Sequence, residues 1–392
     1  MEKYDVVVIG GGPAGSTVAK ELAEQGKRVL VLEKRKEIGF PNHCSGLVSK
    51  EFISFAGVDN SIVLNKIKGA SFYSYSNKII SFKDNKTHAV VIDRTAFDKR
   101  VAKKAMQNGA VYLFNVSVKS IERIGKRLHI HYENRSIQTV EAPLLVIASG
   151  AHSSVLRLAG FKRGRGETIR TLQVEGTVSL PDEDIAYLYI NNEISPNWFA
   201  WAIPLGGGKV RIGIGSDRGE NLLPLFDALK KRWVLLKGKK INIESSVAWL
   251  IPIGFMDRPF KENIVVVGDA ARAVKPFSGG GLHTGLISAH IASQVLLTAL
   301  SKKDYSEKML SNYARLCDVP VRNEIKKGIV LRKIYRSMND IEKEKFLLSL
   351  DNESAKKIIF NSGHIDHPWE VGYKLLKYIK SPLFYYLKSH LL

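Results

Sequence analysis

Tyr4 to Ile9, apolar apart from Asp5, predicts a buried strand, and a glycine turn follows it. Ser16 to Gln25 then reads as a helix, and Arg28 to Leu32 as a second strand ending at Glu33. Together these make one βαβ unit. A polar, glycine-containing loop covers Lys34 to Gly46, strand-like alternation returns over Lys68 to Phe82, and a helix is predicted around Arg94 to Asn108. Ala110 to Ile124 and Leu128 to Tyr132 read as strands, and Leu144 to Ala148 as a buried parallel-type strand returning to the first sheet. From Thr171 to Ile214 the pattern changes to alternating strands with aromatic residues, which predicts an antiparallel sheet forming a second, substrate-covering layer. Asn263 to Val267 is another buried strand, and a long helix begins near Leu282. Beyond about Lys302 the chain is mostly helical, basic and aromatic-rich, with no internal repeat.

The expected fold class is α/β, with a Rossmann-type dinucleotide-binding domain assembled from residues 1–65, 90–165 and 260–300. Residues 66–89 and 166–259 are expected to form the antiparallel-sheet substrate domain, and 301–392 a helical C-terminal region. At 392 residues the chain is long enough for such interleaved domains with a substantial core.

Charge adds one constraint. The chain carries 59 Lys and Arg against 38 Asp and Glu, a formal balance of +21, which attracts anionic partners over long range. A solvated basic surface is the plainer reading of the same numbers. Two cysteines, Cys44 and Cys317, give no sign of a structural disulfide, and the N-terminus runs into a strand without signal-peptide design, so a cytoplasmic protein is expected. The apolar stretch Gly279 to Leu300 contains His283, His290 and Gln294 and reads as a buried helix. If a membrane matters, the protein lies on its inner face.

Gly10, Gly11, Gly12, Pro13, Ala14 and Gly15 satisfy G-x-G-x-x-G between a strand and a helix, so backbone N–H groups and the helix's positive end face a pyrophosphate. Small residues are expected there because a Cβ would block that approach. Glu33, with Lys34 beside it, closes the second strand where a carboxylate accepts hydrogen bonds from an adenosine ribose. This unit by itself fits either NAD or FAD.

Gly268-Asp269-Ala270-Ala271 and the run Pro276 to Leu282, which contains Gly280 and Gly281, precede the long helix. With the N-terminal turn, these residues resemble the p-hydroxybenzoate hydroxylase superfamily of FAD proteins. The resemblance implies FAD as cofactor and Asp269 bonded to the ribityl chain. The triple glycine lets backbone approach the flavin's pyrimidine side, and the helix start at Leu282 favours negative charge on the reduced ring. It also implies Arg94 near the flavin's phosphates, Val118 as a backbone contact to adenine, and Gly150 within the cofactor loop. Ser149 stands where many superfamily members carry Asp, a departure that argues against pyridine-nucleotide-dependent hydroxylation. Gly213-Ile214-Gly215 lies within a strand and lacks a following helix, so no separate nicotinamide domain is expected, and electrons must come from an external donor: NADPH, NADH or ferredoxin. No metal site and no nucleic-acid partner are expected.

Pro41-Asn42-His43-Cys44, preceding Ser45 and Gly46, and Phe199-Ala200-Trp201-Ala202-Ile203-Pro204 resemble the archaeal geranylgeranyl reductase family, with Phe199 in place of its usual Tyr. That resemblance implies FAD-dependent saturation of C=C bonds in the isoprenoid chains of ether-lipid precursors. An isolated alkene is a poor hydride acceptor, so the site needs a dry tunnel, an alkene held over the flavin and a proton donor opposite. Trp201, Phe199, Ile203 and Pro204 are the expected substrate wall. Cys44 either assists protonation, with His43 a further candidate acid, or packs as a small thiol beside the cofactor loop; Trp201 is either tunnel wall or sheet core. Trp369 to Leu392 mixes lysines and aromatics, which suits an anionic lipid interface or a terminal helix pair. Two other functions stay open: a flavin-dependent monooxygenase or halogenase of the same superfamily, and a non-catalytic flavin-binding or membrane-surface protein.

Overall fold

The computed structural model describes residues 1–375 and 378, apart from 153, 163–165, 255 and 364. The chain divides into two compact units. The first comprises Met1–Phe40, Arg94–Glu167 and Ile251–Lys326; the second comprises Pro41–Asp93, Thr168–Leu250 and Lys327–Leu392.

In the first unit a six-stranded sheet runs Phe260–Lys261, Ile264–Val266, Leu144–Ile147, Val6–Ile9, Val29–Leu32, Val111–Leu113. All neighbours are parallel except the first pair. Val6–Ile9, Val29–Leu32 and Leu144–Ile147 are buried throughout, as central parallel strands covered on both faces must be. The helices Pro13–Glu24, Arg94–Gln107 and Leu282–Lys302 belong to this unit. Leu282–Lys302 is long and apolar enough to cross a membrane, but 61% of its apolar window is buried inside the protein, as in a core helix. A four-stranded sheet, ordered Glu2–Lys3, Ser136–Ala142, Arg127–Asn134, Ser117–Ile124, shares a core with the parallel one through Leu128, Ile130, Val140, Leu145 and Ile147.

The second unit is built on a seven-stranded sheet ordered Asn242–Pro252, Thr168–Thr177, Lys209–Ser216, Ala200–Gly206, Ile185–Tyr189, Gly69–Tyr73, Ile79–Lys83. A three-stranded sheet of Leu47–Ser49, Ala89–Ile92 and Val63–Ile67 packs on it through Ile67, Val91, Ile203 and Leu205. The other side buries Trp233 against Leu229, Tyr187 and Tyr189.

These units divide the chain differently from the boundaries the pattern suggests. Residues 41–65 fall in the second unit because Leu47–Ser49 and Val63–Ile67 pair with Ala89–Ile92. Residues 301–326 fall in the first, where the Tyr313 hydroxyl donates to the Val266 carbonyl at 2.9 Å. One feature had no signal in the hydrophobic pattern: a π-helical turn at Asp318–Arg322, containing Pro320, between two α-helices. In the C-terminal stretch only Tyr373, Lys374 and Tyr378 of the proposed interface residues are described; Leu376, Lys377, Lys380, Phe384, Tyr385, Lys388 and Leu391 lie outside the described residues.

Candidate functional site

The glycine turn joins the strand Val6–Ile9 to the helix Pro13–Glu24 as expected, but its glycines answer to different neighbours. Gly10 has φ +107°, and a Cβ there would strike the Ala148 carbonyl; a Cβ on Gly15 would strike the Gly10 carbonyl. Both are therefore demanded by the protein's own close packing. Gly12 alone faces open space, with nothing within 4 Å of a Cβ, and it precedes a helix that begins with Pro13 and has no side-chain cap. Uncapped N–H groups beside open space form an anion cradle. Glu33 is 9% exposed; its two oxygens accept the Gly11 N–H at 2.6 Å and the Arg35 N–H at 2.9 Å. Each oxygen keeps lone-pair capacity for a ribose hydroxyl. Lys34 points outward and is exposed.

The second glycine segment meets the first. Gly268 has φ +62°, and a Cβ on it would lie 2.9 Å from the Ala14 Cβ; one on Gly285 would lie 3.6 Å from the Gly268 Cα. The Gly268 N–H donates to the Ser288 hydroxyl at 3.0 Å. These close approaches bring the starts of Pro13–Glu24 and Leu282–Lys302 to one place. The loop between Asp269 and Leu282 folds back on itself: the Lys275 N–H donates to the Gly280 carbonyl at 3.1 Å, and the Thr284 hydroxyl to the Ala273 carbonyl at 2.5 Å. Pro276 is buried within that loop, Gly281 would put a Cβ 2.8 Å from Asp269 Oδ1, and the helix that follows is again uncapped.

Asp269 is the chemically unusual member. Burial pushes its carboxyl up to about 6, against the opposing pull of the Arg94 guanidinium, and among the described residues no hydrogen bond offsets that burial. Arg94 is 8% exposed and pairs with Asp98 at 3.0 Å. Asp269 keeps part of its surface accessible, so a ligand that brings hydroxyl groups can reach it. Gly150, at φ +66°, likewise faces open space, with Ser149 turned to donate to the His152 carbonyl at 3.1 Å. Val118 is half-buried on Ser117–Ile124, beside an irregularity in its pairing with Arg127–Asn134.

The remaining expected residues gather in the second unit. The Cys44 sulfur accepts the Gly46 N–H at 3.4 Å, and His43 stacks on Trp249 with ring centroids 3.9 Å apart. Trp201 is partly buried and Phe199 lies between it and Trp198, at 6.1 and 5.0 Å. Ile203 is 3% exposed inside the cluster with Ile67, Val91 and Leu205, and Pro204 is buried next to it. Gly213 and Gly215, which follow no nucleotide pattern, each lie under an indole: a Cβ on Gly213 would strike the Trp201 ring, and one on Gly215 the Trp198 ring.

A family model described as FAD binding domain matches residues 3–322. Over 387 aligned positions the chain is 32% identical to the digeranylgeranylglycerophospholipid reductase of Thermoplasma volcanium, covering 92% of this chain and 96% of that protein. The chain belongs to the digeranylgeranylglycerophospholipid reductase family of FAD-binding proteins. A crystal structure of a geranylgeranyl bacteriochlorophyll reductase-like protein from Thermoplasma acidophilum superimposes with a TM-score of 0.87 at 27% identity, covering 99% of both chains. The p-nitrophenol 4-monooxygenase of Pseudomonas putida shares the fold, with a TM-score of 0.70 at 15% identity over 96% of this chain. FAD is the cofactor of this family member.

Several residues escaped the sequence reading. Gln173, 4% exposed, accepts the Trp201 indole N–H at 3.2 Å and donates to the Cys44 carbonyl at 3.3 Å. Arg211, 2% exposed, donates to Glu175 at 2.9 Å and to the Ser45 carbonyl at 2.9 Å. Arg272, directly after Ala271 and at φ +60°, donates to the carbonyls of Ile253 and Glu167. A charged side chain within the apolar run Lys209–Ser216 is the one signal that could have exposed Arg211.

Proposed function

We propose that this protein is an FAD-dependent reductase that saturates C=C bonds in the geranylgeranyl chains of archaeal ether-lipid precursors. The reading rests most on one observation: likeness to digeranylgeranylglycerophospholipid reductase runs nearly end to end, and the Cys44 and Trp201 elements fall in one compact unit, linked through Gln173. When bound and reduced, FAD supplies the hydride that adds to one alkene carbon. The protein's own residues do the rest. Trp201 and Phe199 offer flat apolar surface along which an isoprenoid chain lies and from which water is excluded. Cys44, whose Sγ accepts the Gly46 N–H at 3.4 Å, hands a proton to the second alkene carbon and recovers one from solvent. Each double bond thus gains two hydrogens, one as hydride and one as proton.

Asp269 and Glu33 hold the ribityl and ribose hydroxyls, Arg94 balances charge near the phosphates, and Val118 and Gly150 flank the adenine and ring ends. Electrons reach the cofactor from an external donor, NADPH, NADH or ferredoxin. The balance of +21 supports peripheral contact with an anionic inner membrane face, where the substrate resides.

The test is anaerobic. Purified protein is bleached with a chemical reductant and mixed with a geranylgeranyl phospholipid. Return of the yellow absorbance, with lipid heavier by two hydrogens per reduced bond, is expected. Reoxidation that requires oxygen, or oxygen with halide, and leaves the lipid mass unchanged would turn the assignment toward a monooxygenase or halogenase.

A further inference from the structure

Trp201, Gly213 and Gln173 sit side by side on three adjacent strands: Trp201 pairs with Gly213, and Gly213 with Gln173. Neighbouring strands are roughly 4.8 Å apart, so Trp201 and Gln173 are separated by a whole strand. Their side chains nevertheless touch. Because position 213 has no side chain, the indole lies flat across the middle strand, with its ring where a Cβ would be, and its N–H reaches the Gln173 Oε1 at 3.2 Å. The other end of the amide donates to the Cys44 carbonyl at 3.3 Å. With both groups of the amide used, the head of Gln173 has a single orientation, and at 4% exposure water does not compete for it.

Two places along the row, the arrangement has a counterpart. Arg211 pairs with Glu175 in register and grips the next carbonyl of the same loop, Ser45, at 2.9 Å. A Cβ on Gly46 would press on the Arg211 guanidinium and the Ile92 carbonyl, so that loop has no slack at its far end. Consecutive carbonyls, Cys44 and Ser45, are thus held by two buried polar residues on adjacent strands, Gln173 and Arg211.

We infer that Gln173 is a positioning residue that locks the plane of the Trp201 indole and the backbone of Cys44 to one another, so that the aromatic wall and the thiol move as one body. The inference deepens the reductase reading and rests on it for its kinetic consequence, whereas the coupling itself is a property of the chain and is measured without substrate. Gln173→Glu is the informative replacement. Its carboxylate still accepts the indole N–H but repels the Cys44 carbonyl; its protonated form accepts from one and donates to the other, as the amide does. The variant's turnover therefore rises as pH falls through the carboxyl's titration, a limb that the parent protein and Gln173→Leu lack.

The experiment uses the FAD-loaded full chain. Indole 15N–1H resonances, with Trp201 identified through Trp201→Phe, report the hydrogen bond, and mass-mapped alkylation of Cys44 by N-ethylmaleimide reports the loop. Gln173→Leu is expected to move the Trp201 indole proton upfield and to raise the Cys44 alkylation rate at least threefold. Gln173→Glu does the same at high pH and recovers at low pH. In geranylgeranyl-lipid turnover, kcat falls at least tenfold in Gln173→Leu with KM changed less than threefold. Should Gln173→Leu leave both the indole resonance and the alkylation rate unchanged, the coupling is wrong even if the lipid is reduced. Should both move while the parent protein reduces no geranylgeranyl lipid, the coupling stands and the substrate assignment falls.

Discussion

Asp269 titrates where the cofactor is expected to touch it. Its carboxyl is raised by burial to about 6, above the ordinary 3.8. The neutral form is thus favoured up to about pH 6, and the stability it lends is complete below about pH 4 and lost as pH rises through about 6. Ribityl hydroxyls donating to the carboxylate would favour the charged form instead. FAD affinity is therefore expected to climb from pH 4 to pH 6, by up to about tenfold per unit, and then level off. Fluorescence titration of FAD checks this, and Asp269→Asn should flatten the curve. The glycines separate a second way. Gly12→Ala adds a Cβ only to open space, so the FAD-free protein should lose no more than about 1 kcal/mol, the cost of a poorer N-cap, while FAD binds at least tenfold more weakly, about 1.4 kcal/mol. Gly15→Val, driven into the Gly10 carbonyl, should instead destabilise the empty fold, which thermal denaturation would report.

At the level of strands and helices, the sequence was most legible where one element buries both faces. Val6–Ile9, Val29–Leu32 and Leu144–Ile147 read as strands because nothing polar interrupts them, and the helix at Leu282 because a glycine run precedes it. Legibility failed where meaning depends on register. Gln173 and Trp201 are 28 positions apart, and nothing in either segment says that a third strand, carrying Gly213, will bring them together. The same holds for Gly215 under Trp198, a pair visible only once Lys209–Ser216 is aligned on its neighbour. Gly213→Ala is the direct check on that row. Its methyl would displace the indole, costing about 1–3 kcal/mol in urea denaturation and slowing lipid-dependent flavin reoxidation.

Across the whole molecule, the excess of basic residues predicts salt-sensitive adsorption. Sedimentation with vesicles rich in an anionic phospholipid should capture the protein at about 0.1 M salt and release most of it at about 0.5 M, while neutral vesicles should capture little at either. Retention on anionic vesicles at high salt would point instead to insertion of apolar side chains. A last consequence concerns timing. The phosphate turn is made about 250 residues before the strand Ile264–Val266 and the helix Leu282–Lys302 that pack beside it. At bacterial or archaeal translation rates, that gap lasts on the order of tens of seconds. Throughout it, the nascent polypeptide trails an unfinished parallel sheet from the ribosome, unable to capture its flavin, so cofactor loading is a late act of biosynthesis and supplying more FAD cannot hasten it.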